Sequence, residues 1–222
     1  MCWNADISIN TFMFSVVSLC FIYFANTLTK YKTKIFENPL VYLFFFEVSF
    51  MQLIEYFLWK NLNNKKINET LSIMSLLLLI TQPLTIIFMI NILPIRNWFL
   101  FTYGLFFVLF NIYKIYKNTV FNYSTTTSIA KNGHLLWNFT NYNGYENIIL
   151  FLFLSFYLTP FFYINNVGLA LIIAISLFIS LYFYLNEGTF GTMWCWSSNL
   201  LLLFFIINIL LVKPFYEYNG LC

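Results

Sequence analysis

A polytopic α-helical membrane bundle is the fold class this sequence predicts, and three observations predict it. Of the 222 residues, 61% are hydrophobic and 9% are charged, and the mean hydropathy is +0.77. Apolar runs recur along the chain at the length that a bilayer demands of a helix, about 20 residues. They are continuous rather than alternating, which argues against the strand pattern of a membrane barrel. The class is all-α, and residues 1–222 are expected to form one transmembrane domain with no soluble partner domain.

Seven spans are expected: Ile7–Thr27, Pro39–Trp59, Thr70–Ile90, Trp98–Tyr113, Asn147–Phe162, Val167–Leu185 and Ser197–Val212. The fourth and fifth are short, so the bundle has six spans if they do not both cross. The first lacks a basic segment before it and is longer than a signal core, so it is expected to stay in place. Asn38 followed by Pro39 gives the second a cap and a proline at its first position. Pro83, after Gln82, falls inside the third, where it frees a carbonyl one turn back and is expected to kink the helix. Pro94, Pro160 and Pro214 lie near span ends, where a missing amide costs least. Residues 114–145 make the one long connection.

With seven spans, the amino-terminal end of the bundle (side A) carries six lysines in its connections. The opposite end (side B) carries Lys30, Lys32, Lys34, Arg96 and Lys213. The first helix, with Asp6 before it and three lysines after it, favours side B as cytoplasmic. The sequons starting at Asn68, Asn122 and Asn138 all fall on side A, in agreement. The amino terminus is therefore expected outside or in a lumen, and the carboxyl terminus in the cytosol.

The informative residues are polar ones inside apolar helices. Glu47, Met51, Gln52, Glu55 and Trp59 fall within roughly 140° on the second helix. Gln52 and Glu55 form an i,i+3 pair, and Glu47 lies about 12 Å deeper by helical rise. Glu47 is expected at the depth of Gln82, and Glu55 at that of Ser197, Ser198 and Asn199. Ionisable groups inside a bilayer usually face the bundle interior and mark function. No Lys or Arg lies within a span to neutralise Glu47, so it is expected to be protonated at pH 7, which suits a proton-coupled step or a cation site. The expectation is a polar cavity open to side A; interhelical hydrogen bonding is the competing account.

A second constellation lies at the side A helix ends. Cys2 and Trp3 begin the chain, and Trp194, Cys195 and Trp196 precede Ser197. A disulfide between Cys2 and Cys195 is one reading, and two unrelated interfacial cysteines among belt tryptophans is another. His134, the sole histidine, and Glu187 could complete a mixed metal site with these cysteines and Glu55. Their spacing follows no metal-binding pattern, and a loop histidine is more often solvated. No metal or cofactor is therefore assigned. The partners expected are the lipid bilayer and a small ligand or cation, with oligomeric state left open. The charge of +3 is scattered, without the basic stripe that nucleic-acid binding needs. One histidine and one aspartate exclude multi-histidine hydrolases and paired aspartyl proteases, and no HExxH motif occurs.

Several short motifs recur together: Met1-Cys2-Trp3-Asn4-Ala5 with Ser8, Gln52-Leu53-Ile54-Glu55 with Trp59, Gly133-His134-Leu135, and Gly191 to Trp196. In these the chain resembles, end to end, a group of multi-pass membrane proteins of unknown function from bacteria and from large DNA viruses and their hosts. They begin Met-Cys-Phe/Trp-x-Ala. The resemblance implies that Cys2, Gln52, Glu55, His134, Trp194 and Cys195 belong to one pattern. It also implies that Trp3 and Trp196 serve as aromatic rings rather than as indoles. The function expected is transport or small-ligand sensing through the carboxylate cavity. A membrane enzyme with a Cys/His/Glu mouth and a structural component are the alternatives.

Overall fold

The computed structural model describes residues 4–121, 125–138, 146–164 and 167–219. The order is α1 (Ala5–Leu28), a 3-10 turn (Lys34–Glu37), α2 (Pro39–Lys60), α3 (Lys65–Phe88), α4 (Leu93–Phe121), β1 (Thr127–Ile129), β2 (Leu135–Trp137), α5 (Glu146–Leu158), α6 (Pro160–Tyr163), α7 (Val167–Tyr184), α8 (Phe190–Ile207), a π turn (Asn208–Val212) and α9 (Lys213–Tyr218). The all-α class holds. Helical segments occupy every expected span, but only five helices among the described residues are long and apolar enough to cross a membrane. The runs 148–163 and 168–184 are apolar yet shorter. The seven-span expectation is corrected to five on length. Within the run 148–163, Pro160 lacks the amide that would carry α5 into α6 without a break.

Side-chain oxygens start the early helices. Asn4, Asn38 and Asn64 accept from the backbone N–H of Ile7, Leu40 and Ile67, satisfying donors that the first turn leaves open. α3 runs on through Pro83. In the turn before it, the Tyr103 hydroxyl of α4 donates to the Ile80 carbonyl at 2.8 Å. Pro214 is accommodated by the π turn, whose wider ring lets the Lys213 N–H reach the Asn208 carbonyl.

α1, α2 and α8 form the centre, with α3 beside α2 and α7 beside α8. One face of α1 carries Ser8, Thr11, Ser15 and Ser18, all buried. Small side chains at this spacing let a neighbouring helix approach α1 closely, as α8 does where Ser15 meets Asn199, and their hydroxyls bond back to carbonyls one turn earlier. The main apolar core contains Phe36, Phe44, Phe45, Tyr157, Phe161 and Phe205, with rings meeting edge to face. The outside is also apolar: Val17 is 63% exposed, Phe101 73% and Phe178 68%. A water-facing surface does not normally carry apolar patches of this extent.

At side B, Lys30 pairs with Glu217, the Tyr31 hydroxyl donates to the other Glu217 oxygen at 2.6 Å, and Lys213 donates to the Lys32 carbonyl. The link after α1 and the last helix therefore meet at one end. The hairpin β1–β2 sits at the other.

Candidate functional site

The connection expected over residues 114–145 is not one loop. α4 continues to Phe121, because no glycine or proline interrupts the chain after Gly104. Residues 127–137 then form an antiparallel hairpin, with Thr127 opposite Trp137 and Ile129 opposite Leu135. Its turn uses Gly133 at φ 80°, a conformation that favours glycine, and closes with the Ala130 N–H on the His134 carbonyl at 2.8 Å.

The hairpin is docked into the bundle. Leu135, 0% exposed, packs with Ile54 and Leu58 of α2. Trp137 packs with Met51 and Cys195. Met51 lies nine residues before the end of α2, so the indole reaches about 13 Å into the bundle by helical rise. Hairpin backbone buried against the helices needs internal partners. Asn68 of α3 supplies them: its Nδ2 donates to the Thr127 carbonyl at 2.9 Å, and its Oδ1 accepts from the Thr127 N–H at 2.7 Å. The carboxamide acts as a third strand would. Ser72 donates to Asn68 Oδ1 and shares a 2.7 Å bond with the Thr127 hydroxyl. On the far side, Asn132 donates to Thr189 at 2.9 Å. Gly191 gives the indole room, since a Cβ there would lie 2.8 Å from Trp137 Cζ3.

Beneath this hairpin lie the expected site residues. Gln52 and Glu55 are 0% exposed, and Glu55 is within electrostatic range of Cys195. The mouth expected to be open at side A is covered in this structure. Glu47 is half-buried and faces α3, where the Thr85 hydroxyl donates to its Oε1 at 3.0 Å. Its Oε2 has no partner among the described residues. Gln82 is buried three residues before Thr85, close to the depth expected of Glu47.

The α8 residues do not join the carboxylates as one wall. Asn199 receives the Ser15 hydroxyl of α1 and donates to the Trp196 carbonyl, so it ties α1 to α8. Ser197 donates to the Trp194 carbonyl and lines an outer groove between α7 and α8. The side chain of Ser198 lies outside the description.

The outer-mouth constellation also divides. Cys195 packs with Met51 and Trp137, whereas Trp194 meets the Tyr157 ring at 4.7 Å with the planes tilted by 59°, and donates to Ser176 at 3.1 Å. Trp196 lines the α7–α8 groove, and Glu187 is exposed in the turn before α8. His134 is corrected from a solvated loop residue to a buried one, 5% exposed and edge-on to Tyr184 at 5.7 Å. Burial holds its imidazole below the usual range. Cys2 and Trp3 lie outside the described residues, and with them the proposed disulfide. Among the described residues no three of His, Cys, Asp and Glu are grouped to hold a metal.

Two further features carry no motif. The sequon at Asn68 is a buried clamp, so its side-chain nitrogen is committed inside the protein. The Ser/Thr face of α1 was legible as a period of three to four residues. The sequons at Asn122 and Asn138 extend into undescribed residues. No protein-family model, curated protein or solved structure matches this chain. The fold and site define an all-α protein with five membrane-length apolar helices among the described residues and, on α2, one buried and one half-buried carboxyl group.

Proposed function

We propose that this chain is an integral multi-pass membrane protein that moves or senses a cation or small polar ligand. In this reading the ligand is coupled to protonation of Glu47 and Glu55, and the β1–β2 hairpin closes the side A entrance. The observation that carries the reading is the complete burial of Glu55 beside Gln52 in a helix of membrane length. Acids at such positions are costly and mark ion or proton paths. Glu47 meets the Thr85 hydroxyl of α3 at one oxygen and remains half-buried, so packing is not its whole account. Hydrogen bonds that hold elements together are also made elsewhere, by Asn68 of α3 with Thr127 of β1 and by Ser15 of α1 with Asn199 of α8. The resemblance to the Met-Cys-Phe/Trp-x-Ala membrane proteins is consistent with this reading and names no ligand.

In proteoliposomes, Glu55→Gln and Glu47→Gln are each expected to abolish pH-dependent flux while the protein remains folded. Undiminished flux in both variants removes the carboxyls from the mechanism. Side B is assigned to the cytosol by the lysines after α1. An amino-terminal tag should then be stained in intact cells, and staining only after permeabilisation reverses the assignment.

A further inference from the structure

A second polar position lies between α2, α3, α5, α7 and α8, apart from the covered pair at Gln52 and Glu55. Gln82 is 1% exposed, and its Nε2 has no partner among the described residues. It lines a cavity of about 20 Å³ whose walls include Val48, Tyr157, Ser176 and Cys195. A space must exceed about 10–15 Å³ to hold one water, and that water needs at least two polar partners. This cavity therefore suits one water and is too small for two.

The walls supply the partners. Gln82 offers a donor that is otherwise unused, and leaving such a group unmade in an apolar interior is costly. The Ser176 hydroxyl donates to the Ile173 carbonyl at 2.8 Å and accepts from Trp194 Nε1 at 3.1 Å, so it keeps one lone pair to accept from a guest. The Cys195 sulfur is a weak third partner. The remaining lining of Phe44, Phe45, Ile173 and Leu201 is apolar and leaves no place for a charged guest.

We propose that this cavity is a binding site for a single water molecule, held by the Gln82 side-chain amide and the Ser176 hydroxyl. Its place gives it a consequence. Tyr157 is within electrostatic range of both Glu47 and Cys195, and Cys195 of Glu55. The water is thus a polar step in the layer that separates the two carboxyls. That consequence rests on the proton-coupled reading above, whereas the site itself does not.

The test is water-edited solid-state NMR of the full labelled chain in lipid bilayers, read at the Gln82 side-chain nitrogen. Magnetisation transfer from bound water is expected in the wild type. Val48→Ile fills the cavity with one more carbon and should abolish the transfer, while Val48→Ala enlarges it and should keep it. No transfer in the wild type overturns the proposal, as does undiminished transfer in Val48→Ile or its loss in Val48→Ala. Proteoliposome flux is measured alongside. Transfer at Gln82 in a chain that shows no flux removes the transport reading and leaves the water site standing.

Discussion

Asn68 shows how much one side chain can decide. Both ends of its carboxamide are committed to the backbone of Thr127, 59 positions away, and both groups are buried. Asn68→Ala would leave a buried N–H and a buried C=O unsatisfied, each costing about 1–3 kcal/mol. A loss of about 2–6 kcal/mol in unfolding free energy is therefore expected, measured by denaturation in detergent micelles. An unchanged midpoint would show that the clamp does not hold the hairpin. The same residue marks a limit of reading by motif. Asn68-Glu69-Thr70 satisfies a glycosylation pattern, and nothing local reveals that Thr127 will occupy its amide. Glu55 was easier, because an acid within an apolar run stands out without reference to any other element.

At the scale of elements, the hairpin is the part that hydropathy could not find. Leu135, Leu136 and Trp137 form too short a run to register as a span, and their depth depends on space left by α2, α3 and α8. Gly191→Ala tests that space. The new Cβ would lie 2.8 Å from an indole that is itself buried, so the hairpin must shift. Overpacking of this kind costs about 1–3 kcal/mol. Faster amide hydrogen exchange confined to residues 127–137 is the expected sign, and unaltered exchange would mean that the indole yields freely. His134 adds a pH dependence. Free imidazole titrates near 6.5, and burial lowers this value in the docked hairpin. Above pH 6.5 both forms are neutral and docking keeps its full strength. Below it the undocked form takes up the proton first, so docking weakens towards the lowered value. Protection of the hairpin amides, taken relative to the intrinsic exchange rate at each pH, should therefore fall from pH 7.5 to 5.5, and His134→Phe should remove the change. The helices themselves were legible almost in full, since continuous apolar runs and asparagine caps are local signals.

For the whole molecule, the sequence reading and the structure part over how many helices can cross. Seven apolar segments exist, and among the described residues five helices are long and apolar enough to cross, while the runs 148–163 and 168–184 are shorter. Burial is also uneven. Within the most apolar window of α2, 50% is buried inside the protein, against 11% for α4. α4 thus rests on the edge of the assembly, while α1, α2 and α8 hold its centre. Which end faces which compartment lies in charges that nearly balance, so composition speaks weakly there.

The seat of Trp137 is built from pieces made at very different times. Asn68 leaves the ribosome before the hairpin does, so that grip can form as soon as Thr127 emerges. Gly191 and Cys195 arrive more than fifty residues after the indole they must flank. Until α8 is made, a nascent chain carries a tethered but unseated hairpin, with Trp137 lacking the part of its seat that Gly191 and Cys195 supply. Completion of α8 is therefore the step that seats the indole, and a chain stopped before it would hold the hairpin by α2 and α3 alone.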